Sequence, residues 1–295
     1  MYERLTETLR TRSVGRVIHE FDFVNSTNTA ARLLLEEDAS VPDGTVIVAR
    51  EQSAGRGRLG RAWHSPRDAG LYLSVILRPD GRNGFESGGN AVGARRDCAL
   101  PSGSPGFVSI AAGAAVMLML RHYYGLDALI KWPNDVLIDG RKVCGVLVER
   151  IKPGTYILGI GLNTNWTPQT LHDMESAAEQ ADAAQVPGIL RIPPGALSIA
   201  PGENVESFDH AVLLGRLLES VDVLYTAVLR KLHRSVIRRV QRRLFGVGEA
   251  VIFGQGQSSR GIFDGINHEG HALVRCEDGT VLAVQSGEVH FADRN

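Results

Sequence analysis

The sequence predicts an α+β domain over residues 1–243 and a small all-β domain over 244–295. Three observations carry this. Apolar strand-like runs at 17–24, 44–49, 71–77 and 156–163 are separated by helical stretches, so strands and helices share one domain. Asp139-Gly140 sits between two apolar runs, which is a two-residue hairpin signal and makes part of the sheet antiparallel. After residue 243 the pattern changes to short strands split by glycine-rich turns, the signature of a barrel of SH3-like size.

Composition bounds the rest. The chain has 295 residues, 43% hydrophobic and 22% charged, with a formal net charge of −1. Nothing global draws it to nucleic acid or to a membrane. Cys98, Cys144 and Cys276 are widely spaced and odd in number, which argues against a disulfide framework or a cysteine-only zinc site. The first residues lack an apolar signal core, and no apolar run reads as long enough to cross a bilayer. A cytoplasmic protein is expected.

In chain order, Val17–Val24 reads as a strand running into Asn25-Ser26-Thr27-Asn28 and a helix through Glu37, with Ser26 or Asn25 as N-cap. Hydroxyls and amides at such a helix start cap the helix, and can also bind a polar ligand. Gly44–Ala49 is a strand, and Leu71–Leu77 is apolar on both faces and therefore central. Residues 79–106, rich in Gly, Ser, Pro and Arg, read as an exposed insertion. Phe107–Tyr124 is a buried helix closed by Gly125.

Strict alternation in the second hairpin arm puts Lys142, Cys144, Val146 and Val148 on one face. Val143, Gly145 and Leu147 fall on the other, and both faces read as buried. Asn134 and Asp135 fall in a tight turn after Trp132-Pro133; Asp135 either shapes the turn or faces a phosphate or Mg²⁺. In Tyr156–Asn163, Gly159, Gly161 and Asn163 share a face and form a slot for a ligand or another backbone, unless a bulge explains the glycines. Residues 167–206 read as a second insertion with a short helix at 177–184. A helix follows from Ser207 to about Arg230 and runs on through a basic tract to Arg243, which reads as a solvated face.

Residues 50–64 alternate three glycines with three arginines and end on an aromatic: Gly55-Arg56-Gly57-Arg58-Leu59-Gly60-Arg61-Ala62-Trp63. Glycine lets a ligand approach the backbone, and arginine presents a fork that fits carboxylate or phosphate. The loop is neither a P-loop nor a Rossmann fingerprint. It suits a mobile loop folding around an anion, a solvated basic turn or a nucleic-acid contact.

With Lys131-Trp132-Pro133-Asn134-Asp135, Gly140-Arg141-Lys142-Val143-Cys144-Gly145 and Gly159-Ile160-Gly161-Leu162-Asn163, in that order, the chain resembles biotin protein ligases over most of residues 17–165. The resemblance implies a catalytic domain like that of class II aminoacyl-tRNA synthetases, a mixed sheet flanked by helices, with the small β-barrel at its C-terminus. It implies that biotin and MgATP give biotinyl-5′-AMP, and that a lysine of a carboxylase's biotin carboxyl carrier domain then accepts the biotin. Biotin contacts carry over to Ser26, Thr27, Asn28, Gln52, Gly55, Arg56, Lys142 and Gly145, and adenylate contacts to Arg56, Gly57, Arg58, Trp63, Asn134 and Asn163. Lys142, Arg58, Lys131 and Asp135 carry over as the catalytic set, Asp135 being the one Mg²⁺ ligand. The type resembled lacks a DNA-binding domain, so no DNA or membrane partner is expected, and the protein is a monomer or a homodimer. The rival readings are a lipoate or octanoate ligase or transferase, which shares the implied fold, and a non-catalytic ligand sensor.

Overall fold

The computed structural model describes residues 2, 5–79, 105–182, 189–200, 207–230, 232–254, 259–285, 287 and 289–293. The expected insertion at 79–106 lies almost wholly outside them, as do parts of 167–206. In chain order the first part contains α1 (Leu5–Thr8), β1 (Ile18–Phe21), α2 (Thr27–Glu37), β2 (Val46–Ala49), β3 (Gly70–Leu77), α3 (Pro105–Tyr124), β4 (Ala128–Lys131), β5 (Asp135–Ile138), β6 (Arg141–Lys152), β7 (Thr155–Asn163), α4 (Pro168–Asp182), α5 (His210–Leu229) and α6 (His233–Gln241). Seven strands form one mixed sheet in the order β1-β2-β3-β7-β6-β5-β4. Only β1 and β2 are parallel; every other neighbour is antiparallel. The β5–β6 hairpin turns on Asp139 (φ 47°) and Gly140 (φ 73°), both left-handed as a tight hairpin turn requires.

Side-chain alternation sorts the sheet into two faces. Val46, Val48 and Val75 join the main core under α3 and α5, while Ile47, Ile76 and Ile157 pack with Ala31 of α2. Helix α2 covers β2, β3 and β7 only in part. The same face over β6 and the end of β7 is left to the site.

Several expectations change. Gly106–Tyr124 is long and apolar enough to cross a membrane, contrary to the sequence reading, but its most apolar window is 72% buried and packs on α5 and β6. Helix α4 is longer than the stretch expected at 177–184. Helix α5 starts at His210 rather than Ser207, because Asp209 accepts from the amides of Ala211 and Val212. Helix α6 is separate from α5; it buries Val236, Ile237 and Val240 and leaves Arg234, Arg238 and Arg239 in solvent.

The C-terminal part is an SH3-like antiparallel sheet of β8 (Ala250–Phe253), β9 (Ser259–Ile266), β10 (Ala272–Arg275), β11 (Val281–Val284) and β12 (Val289–Phe291). Its order is β11-β10-β9-β8-β12. Among the described residues no ladder joins β11 to β12. It is tied to the first part through Leu244, which bridges to Ile130 at the outer edge of β4.

Candidate active site

Above the open part of the sheet lies a cavity of about 120 Å³. One wall is the start of α2. Ser26 occupies the N-cap with extended backbone, but its hydroxyl makes no capping bond and lines the cavity instead. Thr27 and Asn28 follow, both buried. They belong to one polar network. The Thr27 amide donates to Gln52 Oε1 (2.8 Å), and Gln52 Nε2 donates to Ser65 Oγ (2.7 Å). Ser74 Oγ lies 2.8 Å from Thr27 Oγ1 and 2.6 Å from Asn28 Oδ1. Asn28 Nδ2 donates to Glu149 Oε2 (2.8 Å), and Glu149 also pairs with Arg32 (3.1 Å) and faces Arg56 (3.6 Å). Sequence reasoning missed Ser74 and Glu149. Ser74 left a signal, a small hydroxyl side chain in a central strand whose other residues are apolar apart from Tyr72.

The Gly/Arg loop is an ordered short hairpin. Arg56 bridges to Ala62, the Gly57 amide donates to Arg61 O (2.7 Å), and the Trp63 amide donates to Gly55 O (2.8 Å). A Cβ at Gly55 would lie 2.4 Å from Trp63 O, so the close approach requires glycine there. The fold brings Arg56, Gly57, Arg58 and Trp63 to the cavity; Gly55 sits behind them under the Trp63 carbonyl. Arg58 donates to Asn134 Oδ1 (3.3 Å) and to Gly287 O (2.9 Å).

The glycine slot is filled by protein rather than left free. Gly145 and Gly161 face each other across β6 and β7, and the Trp63 indole lies on them. A Cβ would come within 2.8 Å of the ring at Gly145 and 2.4 Å of Nε1 at Gly161. Gly159 gives the same room to Asn28. Among the described residues the buried Trp63 indole N–H has no acceptor.

Lys142 corrects the alternation argument. The β5–β6 ladder pairs Val136 with Cys144 but Leu137 with Lys142, so Val143 is an extra, bulged residue. The bulge puts Val143 into the main core beside Cys144 and turns Lys142 to the face of Gly145. That face is the site, so β6 is not buried on both sides. Lys142 Nζ lies 2.8 Å from Asp135 Oδ1 and 5.4 Å from the Trp63 ring centroid. Asp135 Oδ1 is buried and otherwise lacks a hydrogen bond. Asn134 is held to β6 by its own carbonyl and side-chain amide, both bonded to Val146.

Besides Gly55, two of the expected residues lie off the cavity. Asn163 is buried and donates to Gly195 O (2.9 Å). Lys131 pairs with Asp135 in the β4–β5 ladder on the same face, at the sheet edge. The stretch read as a second insertion is built into the site wall: the Lys142 amide donates to Pro193 O (2.8 Å), and the Gly195 amide donates to Lys142 O (2.9 Å). Burial pushes the Cys144 thiol up, which suits a packing role.

Residues 20–165 match the model of the biotin/lipoate A/B protein ligase family. The chain is 30% identical over 253 residues to a biotin–[acetyl-CoA-carboxylase] ligase of Paracoccus denitrificans, covering 83% of this chain and 89% of that protein. It is 32% identical over 188 residues to the bifunctional ligase/repressor BirA of Bacillus spizizenii, covering 60% of this chain and 51% of that protein. The chain thus spans about half the length of the first curated relatives it matches. A biotin protein ligase from Aquifex aeolicus, solved with biotin and ATP, superposes with a TM-score of 0.69 at 26% identity, covering 93% of this chain and 97% of that one. On these grounds the chain belongs to the biotin/lipoate A/B protein ligase family, among its biotin protein ligases.

Proposed function

We propose that this protein activates biotin with MgATP to biotinyl-5′-AMP and transfers the biotin to a lysine of a biotin carboxyl carrier domain. The observation that carries the reading is the meeting of Arg56, Arg58 and Lys142 at one cavity whose other wall is the polar start of α2. Biotin's carboxylate and the phosphates of ATP are both anions, and bringing them together requires fixed cations. Ser26, Thr27, Asn28 and Gln52 take the polar head of biotin, while Gly55 and Gly145 give the room that seats Trp63 beside it. Lys142 and Arg56 take its carboxylate. Arg56, Gly57, Arg58, Trp63 and Asn134 take the adenylate; Asn163, held to Gly195, supports the wall from behind, and Lys131 stands at the sheet edge on the side of the phosphates. The division at residue 243 belongs to the same proposal.

The carboxylate is ionised at neutral pH, so no general base is needed in the first step. Its oxygen attacks the α-phosphorus, and the bond to pyrophosphate breaks. Lys142 and Arg58 hold the charge on the α-phosphoryl oxygens. In the second step the acceptor amine attacks the acyl carbon, AMP leaves, and the amine sheds a proton. Among the described residues no group of three or more metal-ligating side chains exists. Asp135 alone, with its buried Oδ1, fits a magnesium ion carried mostly by phosphate oxygens. A magnesium ion held there would neutralise phosphate charge.

The test is biotin-dependent ATP–pyrophosphate exchange, with lipoate as the control substrate. Exchange with biotin alone is expected. Exchange with lipoate alone, or with neither, overturns the reading.

A further inference from the structure

A circuit of hydrogen bonds starts and ends in the C-terminal sheet and passes through two of the site's motifs. Trp132 is buried, 3% exposed, at the end of β4. Its Nε1 donates to the carbonyl of Gly270 (2.9 Å), in the turn between β9 and β10. Pro133 and Asn134 follow in the chain. Asn134 Oδ1 accepts from Arg58 Nη1 (3.3 Å), and Arg58 Nη2 donates to the carbonyl of Gly287 (2.9 Å), between β11 and β12. Both acceptors are main-chain carbonyls of glycines with left-handed backbone, Gly270 at φ 85° and Gly287 at φ 104°.

The two bonds hold opposite sides of the candidate site. The Gly270 bond fixes the turn that carries Asn134 and Asp135, and the Gly287 bond fixes the guanidinium of the Gly/Arg loop. Between them lies a second cavity of about 340 Å³, lined by Arg58, Leu59, Trp132, Pro133, Gly270 and His271. The edge of β4 is pinned to the same joint, since the Ile130 amide donates to Arg243 O (2.8 Å) and the Phe245 amide donates to Ile130 O (2.9 Å). Gly270 is wedged on α3: a Cβ there would lie 3.0 Å from Ile110.

We infer that Trp132 is a positioning residue, and that the C-terminal sheet sets the geometry of the site through two carbonyls, Gly270 on Trp132 and Gly287 on Arg58. The inference rests on the proposed adenylation. The biotin wall at α2, β3 and β7 lies outside the circuit. Losing either bond therefore slows turnover more than it weakens biotin binding, which the loop reaches only through Arg56.

The experiment compares three variants of the full chain with the parent. Trp132→Phe keeps a ring and removes the donor. Gly287→Ala disfavours the backbone that aims the carbonyl at Arg58, in a turn away from the core. Trp166→Phe is the control, because Trp166 is about as buried but its N–H has no partner among the described residues. Exchange turnover should fall about tenfold in the first two, the size of one buried hydrogen bond, with the KM for biotin rising by less than about threefold. Faster amide hydrogen exchange should appear at 56–62 and 134–135 in the same two variants and not in Trp166→Phe. Unchanged turnover and unchanged amide exchange in Gly287→Ala overturn the inference, even if Trp132→Phe fails to fold. Equal losses in Trp166→Phe overturn it too, since they reveal a general packing effect. A parent without biotin-dependent exchange sinks the proposed function instead, and the amide-exchange arm still decides the joint.

Discussion

Replacing Lys142 by methionine separates what the ion pair does for folding from what it does for chemistry. Lys142 Nζ sits 2.8 Å from Asp135 Oδ1, with the two side chains 30% and 13% exposed. Removing the cation leaves a nearly buried carboxylate unpaired, a larger penalty than for a surface pair and a smaller one than for a fully buried pair. We expect a loss of about 2 kcal/mol. For a chain of this size that lowers Tm by about 4 °C. In catalysis the lysine faces charge that develops on the α-phosphoryl group, and the loss of one such stabiliser costs about 100- to 1000-fold in turnover. Pyrophosphate exchange and thermal unfolding are measured on Lys142→Met, Asp135→Asn and the double variant. The double variant removes both charges, so it should regain most of the lost Tm while its turnover stays low. A single variant with turnover within about fivefold of the parent refutes the placement of Lys142 in the chemistry. A double variant that regains turnover refutes it as well, because the lysine would then serve only to neutralise Asp135.

Gly161→Ala would put a Cβ 2.4 Å from Trp63 Nε1, so the indole must shift and exchange activity should fall at least tenfold, an overpacking effect of about 1–3 kcal/mol; an active variant with unchanged tryptophan fluorescence would count against the indole's place on that strand. Asp222 accepts from the amides of Arg12, Ser13 and Val14, and Asp222→Ala should destabilise by about 3 kcal/mol by orphaning them, read in urea unfolding. His210 gives a pH signature. Phe208 N donates to Asn165 Oδ1, so Asn165 turns its Nδ2 donor to His210 Nε2, which must be the unprotonated nitrogen and also accepts from Thr164 Oγ1 (2.7 Å). Burial lowers the His210 pKa, so the unfolded chain binds the proton more readily. The His210 contribution is therefore complete above the ordinary value of about 6.5 and is lost as pH falls below it. The Tm of the parent should drop more steeply from pH 7 to 5 than that of His210→Gln, and parallel curves would refute this.

Local pattern carried the architecture a long way. Alternation and β-branched runs marked the strands, and Asp139-Gly140 announced a hairpin whose two left-handed residues are there. The chain-order motifs also converge on one cavity, because the start of α2, the Gly/Arg loop and the facing stretches of β6 and β7 all line it. Where the reading failed, the deciding partner was far along the chain. The fifth C-terminal strand is three residues long and exists because Val289–Phe291 pairs with β8. Gly159 and Gly161 read as a slot for a ligand or another backbone, yet what fills it is the side chains of Asn28 and Trp63, which no local rule could name.

Lys142 shows why in physical terms. Period-two reasoning holds only while the ladder gains one residue per partner on each strand. One extra residue at Val143 reverses the faces on either side of it. What accommodates that break is the main chain of Lys142, which turns outward to pair with Pro193 and Gly195. The Gly195 carbonyl in turn accepts from Asn163, at the end of the neighbouring strand. A segment that looked dispensable by composition thus supports the bulge, and the bulge decides whether the lysine reaches Asp135 or points into the core. The functional face of Lys142 is a property of three segments together, so it could be legible only after they were assembled.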